Sequence, residues 1–266
     1  SLCSSNPYLV VDFANAPTAA FLTPILTQLN CRVVALNAAE DAAKMSIPNP
    51  EFQKSLHQLA KISGVLETAM GVRLDVGGER VFVVDDEGKI ISQTALLAAL
   101  AIMALDDKKG GTIAAPVSMP DVLDRIAAER GGKILRTKVN AQALMAAANC
   151  PDVIMAGDGN GSFIWPAFQP VVDGLMTVVK LLEYLTKQGR ALSQVIASVP
   201  EYHVAQAVVN CPWETKGTVM RLLNQQYKDR LGEQIDGVKI HLGEGEWVLV
   251  LRSEEHTSEL QSPYVI

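Results

Sequence analysis

The stretch Gly71–Ile91, GVRLDVGGERVFVVDDEGKII, reads as a strand, a short loop at Asp75–Arg80, and a second strand that closes on a turn at Asp85-Asp86-Glu87-Gly88. The residues before it set up its partners. Tyr8–Asp12 is a short apolar run, Ala19–Leu29 carries helical spacing at Ala20, Ile25, Leu26 and Leu29, and Cys31–Leu36 returns as a strand. A strand-helix-strand order predicts a parallel sheet joined by a right-handed crossover. Met45–Glu51, with Pro48 and Pro50, reads as loop. Phe52–Met70 then reads as a helix with Leu56, Leu59, Ile62, Val65 and Leu66 inward, delivering the chain to the Gly71 strand.

Past the turn the alternation of strand and helix continues. Gln93–Leu105 is predicted helical, Thr112–Pro116 a strand, Asp121–Arg130 a helix with Asp121 as its N-cap, and Lys133–Val139 a strand. Ala141–Ala148 is a further helix and Val153–Ala156 a strand, followed by the loop Gly157-Asp158-Gly159-Asn160-Gly161-Ser162. Val171–Gln188 predicts a helix with Val172, Leu175, Met176, Val179, Leu182 and Leu185 along one stripe and Gly189 at its end. Beyond Pro200 the pattern changes to two layers: Tyr202–Val209 as strand, Glu214–Lys228 as helix, and Val238–Leu242 and Trp247–Leu251 as strands joined by Gly243-Glu244-Gly245.

The 266 residues are 48% hydrophobic and 20% charged, ordinary for a globular protein with a sizeable core. The longest apolar run, Thr94–Leu105, falls short of the roughly 18 to 20 residues that cross a bilayer, and no basic-then-apolar leader opens the chain. A cytoplasmic protein is expected. The net charge of −6 without Lys/Arg clusters gives no footprint for nucleic acid or an anionic membrane, while phosphorylated small molecules need only a few local cations. Cys3, Cys31, Cys150 and Cys211 are too scattered for zinc pairs or a disulfide framework. The four histidines, His57, His203, His241 and His256, show no metal spacing, and neither G-x-G-x-x-G nor a Walker loop is present.

The loops carry a resemblance. Asp75-Val76-Gly77-Gly78-Glu79-Arg80 is similar to the Asp-Gly-Asp-x-Asp-Arg loop that holds Mg2+ in the phosphohexomutases, the family of phosphomannomutases and phosphoglucomutases. Asp75 stands at the first ligand position, Gly77 at the second and Glu79 at the third, so the resemblance implies a Mg2+ site reduced to two carboxylates, Asp75 and Glu79. Arg80 matches the family arginine that approaches the phosphate. Gly157–Ser162 resembles the sugar-specificity loop Gly-Glu-x-Ser-Gly-His, with Asp158, Asn160 and Ser162 at the positions that would contact a hexose phosphate. Lys138 matches a family lysine in the cleft. The same residues also read without a ligand: Gly77 and Gly78 as turn glycines, GDGNG as an ordinary turn, and Arg80 and Lys138 as surface cations.

The resemblance runs from Asn6 to Leu251 and implies an α/β protein: two mixed-sheet phosphohexomutase-type domains, at 1–92 and 93–200, then a truncated two-layer α+β C-terminal domain at 201–251. The family's first domain, with its phosphorylated serine, would lie outside this chain. LDVGGERVFVVDDEG, GDGNGSFIWPAFQPVVDG and CPWETKGTVMRLL look most like the mutase-like C-terminal region of bacterial mannose-1-phosphate guanylyltransferase fusion proteins. That implies a nucleotidyltransferase domain of the same parent chain as partner, and a piece that binds sugar phosphate with impaired mutase chemistry. An active mutase and a ligand-free oligomerisation module remain as alternatives. Residues 252–266 look like an in-frame translation of a sequencing adapter, and are expected to lie outside the fold. The family's phosphate loop, Arg-x-Ser-Gly-Thr, would begin there, so Arg252 and Ser253 are not read as a site.

Overall fold

The computed structural model describes residues 6–232, 234–243, 245–252 and the backbone of 259–265. In the first α/β unit the chain runs through β1 (Tyr8–Asp12), α1 (Thr18–Gln28), β2 (Arg32–Leu36), the short α2 (Ala42–Met45), α3 (Asn49–Val65), β3 (Met70–Leu74) and β4 (Val81–Val84). Its sheet has the order β2-β1-β3-β4, with β1 parallel to both neighbours and β4 antiparallel to β3. The α3 helix ends earlier than its apolar spacing predicts. Glu67 takes a left-handed φ of 49°, and the Ala69 N–H donates to the Tyr8 carbonyl, so Met70 already belongs to the sheet.

The second unit begins with α4 (Gln93–Lys108), then β5 (Gly111–Pro116), α5 (Val122–Glu129), β6 (Gly132–Thr137), α6 (Ala141–Ala148), β7 (Val153–Gly157), β8 (Phe163–Trp165), β9 (Gln169–Val172), α7 (Gly174–Gln188) and α8 (Leu192–Ala197). The sheet order is β6-β5-β7-β8-β9, with β5, β6 and β7 parallel and the last two strands antiparallel. Leu96 to Leu105 of α4 are buried without interruption. A helix apolar all round has no solvent face, and its residues join one core cluster with side chains of both units, from Leu9 to Val195. Ser92 caps it by accepting from the Ala95 N–H, and Lys109 closes it in the left-handed region.

The long helix expected from Val171 is shorter, because Val171 and Val172 belong to β9. Asp173 is the N-cap, its Oδ1 accepting from the Met176 N–H at 2.8 Å, and the buried stripe is Gly174, Thr177, Val178, Leu181, Leu182 and Tyr184. A local cap thus outranks the apolar continuity that extended the helix backwards in the sequence reading.

The third sheet is antiparallel: β10 (Ala205–Asn210), β11 (Val238–Gly243), β12 (Glu246–Arg252) and β13 (Glu259–Val265), in the order β10-β13-β12-β11, with α9 (Trp213–Gln226) following β10. The sheet runs past Leu251, the expected end of the C-terminal domain. Arg252 continues β12, and Glu259–Val265 pairs with both β10 and β12, supplying the backbone hydrogen bonds that join β10 to the sheet. Ser253 lies outside the described residues. Trp247 is buried, and its indole N–H donates to Asp121 Oδ1 at 3.0 Å, fastening this sheet to α5. Among the described residues, no helix is long and apolar enough to cross a membrane.

Candidate functional site

The loop between β3 and β4 is closed by its own first side chain. Asp75 Oδ1 accepts from the Glu79 N–H at 2.7 Å and the Arg80 N–H at 3.0 Å, while the Gly78 N–H donates to the Asp75 carbonyl at 3.1 Å. Asp75 is half-buried, and Glu79 and Arg80 are exposed. The loop from Gly157 to Ser162 repeats the device: Asp158 Oδ1 accepts from the Asn160 N–H at 2.7 Å and the Ser162 N–H at 3.0 Å. A short acidic side chain that bonds backbone groups two to five residues on is the Asx-type closure that Asp supplies and the longer Glu reaches less readily.

These two loops meet. Arg80 and Ser162 form an antiparallel bridge, and the Val81 N–H donates to the Gly161 carbonyl at 3.0 Å. On the other flank, the Gly174 N–H donates to the Gly78 carbonyl at 2.8 Å. Glycine is required at that contact, since a Cβ on Gly174 would lie 2.6 Å from the Gly78 carbonyl oxygen. Gly78 itself has φ +69°, with Leu175 and Thr18 closing over it.

Of the sequence-predicted residues, the bridge therefore unites Asp75, Glu79, Arg80, Asp158, Asn160 and Ser162 along one seam. Asn160 is exposed and Ser162 is buried at the bridge. Lys138 stands apart. It is exposed just past β6, the edge strand, and two strand spacings, about 10 Å, separate that strand from β7. The next residue is tied to the third sheet, the Val139 N–H donating to Asp236 Oδ2 at 2.9 Å. The Arg80 guanidinium forms no ion pair among the described residues.

A Mg2+ ion needs near-octahedral oxygen donors at about 2.1 Å. Two side-chain carboxylates remain at this loop, and one oxygen of Asp75 already accepts two backbone hydrogen bonds. Among the described residues, no group of three or more His, Cys, Asp or Glu is placed to hold a metal. The donor set does not fit a tightly held Mg2+ ion.

Sequence reasoning passed over Arg73 and Gly174. Arg73 is a charge inside the otherwise apolar run Met70–Leu74, and that interruption was its signal; it is only 4% exposed and ion-paired with the equally buried Asp12. Gly174 had the weaker signal of an Asp-Gly pair ahead of a helix.

Comparison with known proteins agrees with this geometry. Residues 2–88 match the family model of phosphoglucomutase/phosphomannomutase alpha/beta/alpha domain II, and residues 92–202 match that of domain III. The chain is 32% identical over 277 residues to a probable phosphoglucosamine mutase of Methanopyrus kandleri, covering 97% of this chain and 60% of that protein. It is 30% identical to a phosphoglucomutase/phosphomannomutase of Thermococcus kodakarensis, covering 93% of this chain and 54% of that one. Among solved structures, a phosphoglucomutase/phosphomannomutase family protein from Burkholderia thailandensis superposes with a TM-score of 0.82 at 22% identity, over 99% of this chain and 58% of that one. An Aspergillus fumigatus N-acetylphosphoglucosamine mutase, solved in complex with GlcNAc-6P and magnesium, shares the fold with a TM-score of 0.65 at 13% identity, over 99% of this chain and 64% of that one. The chain thus spans little more than half the length of these relatives. With domains II and III matched one after the other and their two loops bridged, the chain belongs to the phosphoglucomutase/phosphomannomutase family.

Proposed function

We propose that the chain binds a hexose phosphate across the seam between its two bridged loops, as the sugar-phosphate-binding part of a cytoplasmic phosphohexomutase-type protein. The observation that carries this reading is the Arg80–Ser162 bridge, which sets an uncommitted guanidinium beside the polar loop of the second unit. Arg80 takes the phosphate, because a planar guanidinium pairs with two phosphate oxygens at once. The second oxygen of Asp158 and the exposed amide of Asn160 take sugar hydroxyls. Calorimetry with glucose 1-phosphate, mannose 1-phosphate and glucosamine 6-phosphate tests it. Binding that weakens at least about tenfold in Arg80→Ala, the least that losing a charge-assisted hydrogen bond costs, supports the reading. An absence of heat with all three sinks it.

Phosphoryl transfer is proposed to be impaired, since two carboxylates remain where the transferring phosphate needs a neutralising ion. The parent would be a sugar-nucleotide biosynthesis protein of the mannose-1-phosphate guanylyltransferase type. A nucleotidyltransferase signature encoded upstream of Ser1 supports that parentage, and a phosphoserine domain encoded there instead refutes it. The relatives' names favour a second reading, an active mutase of glucosamine, glucose or mannose phosphates. Turnover of these sugar phosphates by the full-length parent, with Mg2+ and a bisphosphate primer, decides between the two.

A further inference from the structure

A second crevice lies in the first unit, at the carboxyl ends of its parallel strands. The chain crosses from β1 to β2 on one side of the sheet and from there to β3 on the other, so the strand order β2-β1-β3 reverses between β1 and β3. At such a reversal the two crossovers diverge and leave a gap beyond the strand ends, which in open α/β sheets is where ligands lodge. The residues in register there are Asp12 and Arg73, the buried ion pair. The guanidinium is only partly satisfied: its Nε–H is buried without an acceptor among the described residues. A buried unmatched donor is costly, so the floor of this crevice keeps unused hydrogen-bonding capacity.

Arg73 borders two lobes that share Ala14, Ser46 and Ile47, with volumes of about 360 Å³ and 310 Å³. The first lobe is mainly apolar, with Phe52, Met45 and Leu74, and touches Asp75 of the metal-type loop. Amides, hydroxyls and one carboxylate line the second, through Asn15, Asn37, Ser55 and Glu51. The mouth is built from backbone held out of its usual range: Ala14, Asn15 and Asn37 have φ of 55°, 57° and 48°. Hydrogen bonds fix it, from the Asn15 N–H to the Asn37 carbonyl at 2.8 Å and from Asn37 Nδ2 to Asp12 Oδ1 at 2.9 Å.

We propose that this crevice is a binding site for a small neutral polyol, such as an unphosphorylated sugar, separate from the seam that takes the hexose phosphate. An apolar, aromatic lobe adjoining a lobe lined by amides, hydroxyls and a carboxylate matches a sugar's apolar ring face and its hydroxyl edge. A phosphate is disfavoured. The Arg73 charge is matched by Asp12 and that of Lys44 by Asp41 at 2.8 Å, and Asp75 and Glu51 then stand in the lining as two carboxylates without a matching cation there. Because Asp75 borders the first lobe, an occupant would press on the loop that forms the seam from beneath.

The test is a titration of the whole isotope-labelled chain with D-glucose and, separately, with glucose 1-phosphate, followed by two-dimensional amide spectra. With glucose, the amides of Ala14, Ser46, Ile47 and Val76 and the Nε–H of Arg73 should shift together, with roughly millimolar affinity, the range reached by a ligand of this size at ordinary ligand efficiency. Ser46 is exposed and borders both lobes, so Ser46→Trp should fill the mouth, keep the thermal midpoint and weaken glucose at least tenfold. No shift at these five groups up to 100-fold excess over the expected constant, about 0.1 M, overturns the proposal, as does glucose 1-phosphate binding there more tightly than glucose. Shifts from glucose 1-phosphate confined to residues 79–81 and 158–162 report on the seam alone, so the two sites stand or fall separately.

Discussion

Gly77→Asp is the most informative perturbation of the seam. Gly77 has no left-handed φ to lose, and a Cβ there would lie 3.5 Å from Glu79 Cγ and 3.9 Å from Glu79 Oε1, ordinary contact distances. The added carboxylate therefore meets no steric barrier and stands next to that of Glu79. Two exposed carboxylates roughly 5 Å apart in water repel by about 0.8 kcal/mol, so the variant should be slightly less stable without divalent ions. A divalent cation reverses the sign. At roughly 4 Å in water, one more carboxylate contributes about 2 kcal/mol toward a +2 ion, or about thirtyfold in affinity. Manganese binding by electron paramagnetic resonance measures this without needing turnover. The unsubstituted chain should hold Mn2+ weakly, and Gly77→Asp about thirtyfold more tightly, with its thermal midpoint rising on Mn2+ addition. Tight binding by the unsubstituted chain, or no gain in the variant, would refute the claim that carboxylate number limits this loop.

Three further outcomes are expected. Gly174→Ala must displace backbone, since its Cβ falls 2.6 Å from the Gly78 carbonyl; overpacking of this kind costs about 1–3 kcal/mol, read from urea midpoints, and should loosen Arg80 from Ser162. Leu100→Ala, in the fully buried middle of α4, should cost about 2–5 kcal/mol, and a smaller loss would show that the core between the units collapses readily. Burial, followed by the charges of Asp107 and Glu183, pushes the Tyr184 phenol up. The unfolded phenol ionises near pH 10 while the folded one stays protonated, so stability should fall as pH rises past about 10. Tyr184→Phe should flatten that fall in urea midpoints measured between pH 8 and 11.

Much of the fold was legible because burial leaves a period in the sequence. Tyr8–Asp12 and Met70–Leu74 show as mainly apolar runs, since strands covered on both faces need apolar side chains, and the two charges they carry, Asp12 and Arg73, are buried as a pair. Boundaries were less legible. Whether Val171 and Val172 are helix or strand depended on the Asp173 cap, and a capping side chain looks the same in sequence whether or not it caps. The two candidate loops were found as motifs, but motif spacing does not tell which oxygen is already engaged. Asp75 and Asp158 each have an oxygen committed to two backbone N–H groups, and only folded geometry shows that.

By itself the sequence determined the two α/β units, the α+β remainder and the residue types at each loop, because side-chain periodicity and turn chemistry are local. The tertiary structure decided what the loops do together. Arg80 and Ser162, more than eighty positions apart, become neighbours only once α4 is buried between the sheets. The Asp12–Arg73 pair likewise forms only when β3 crosses to lie beside β1, and its unmatched N–H exists only in that enclosure. Contacts made across such separations depend on how whole elements pack, a property no short window of sequence contains.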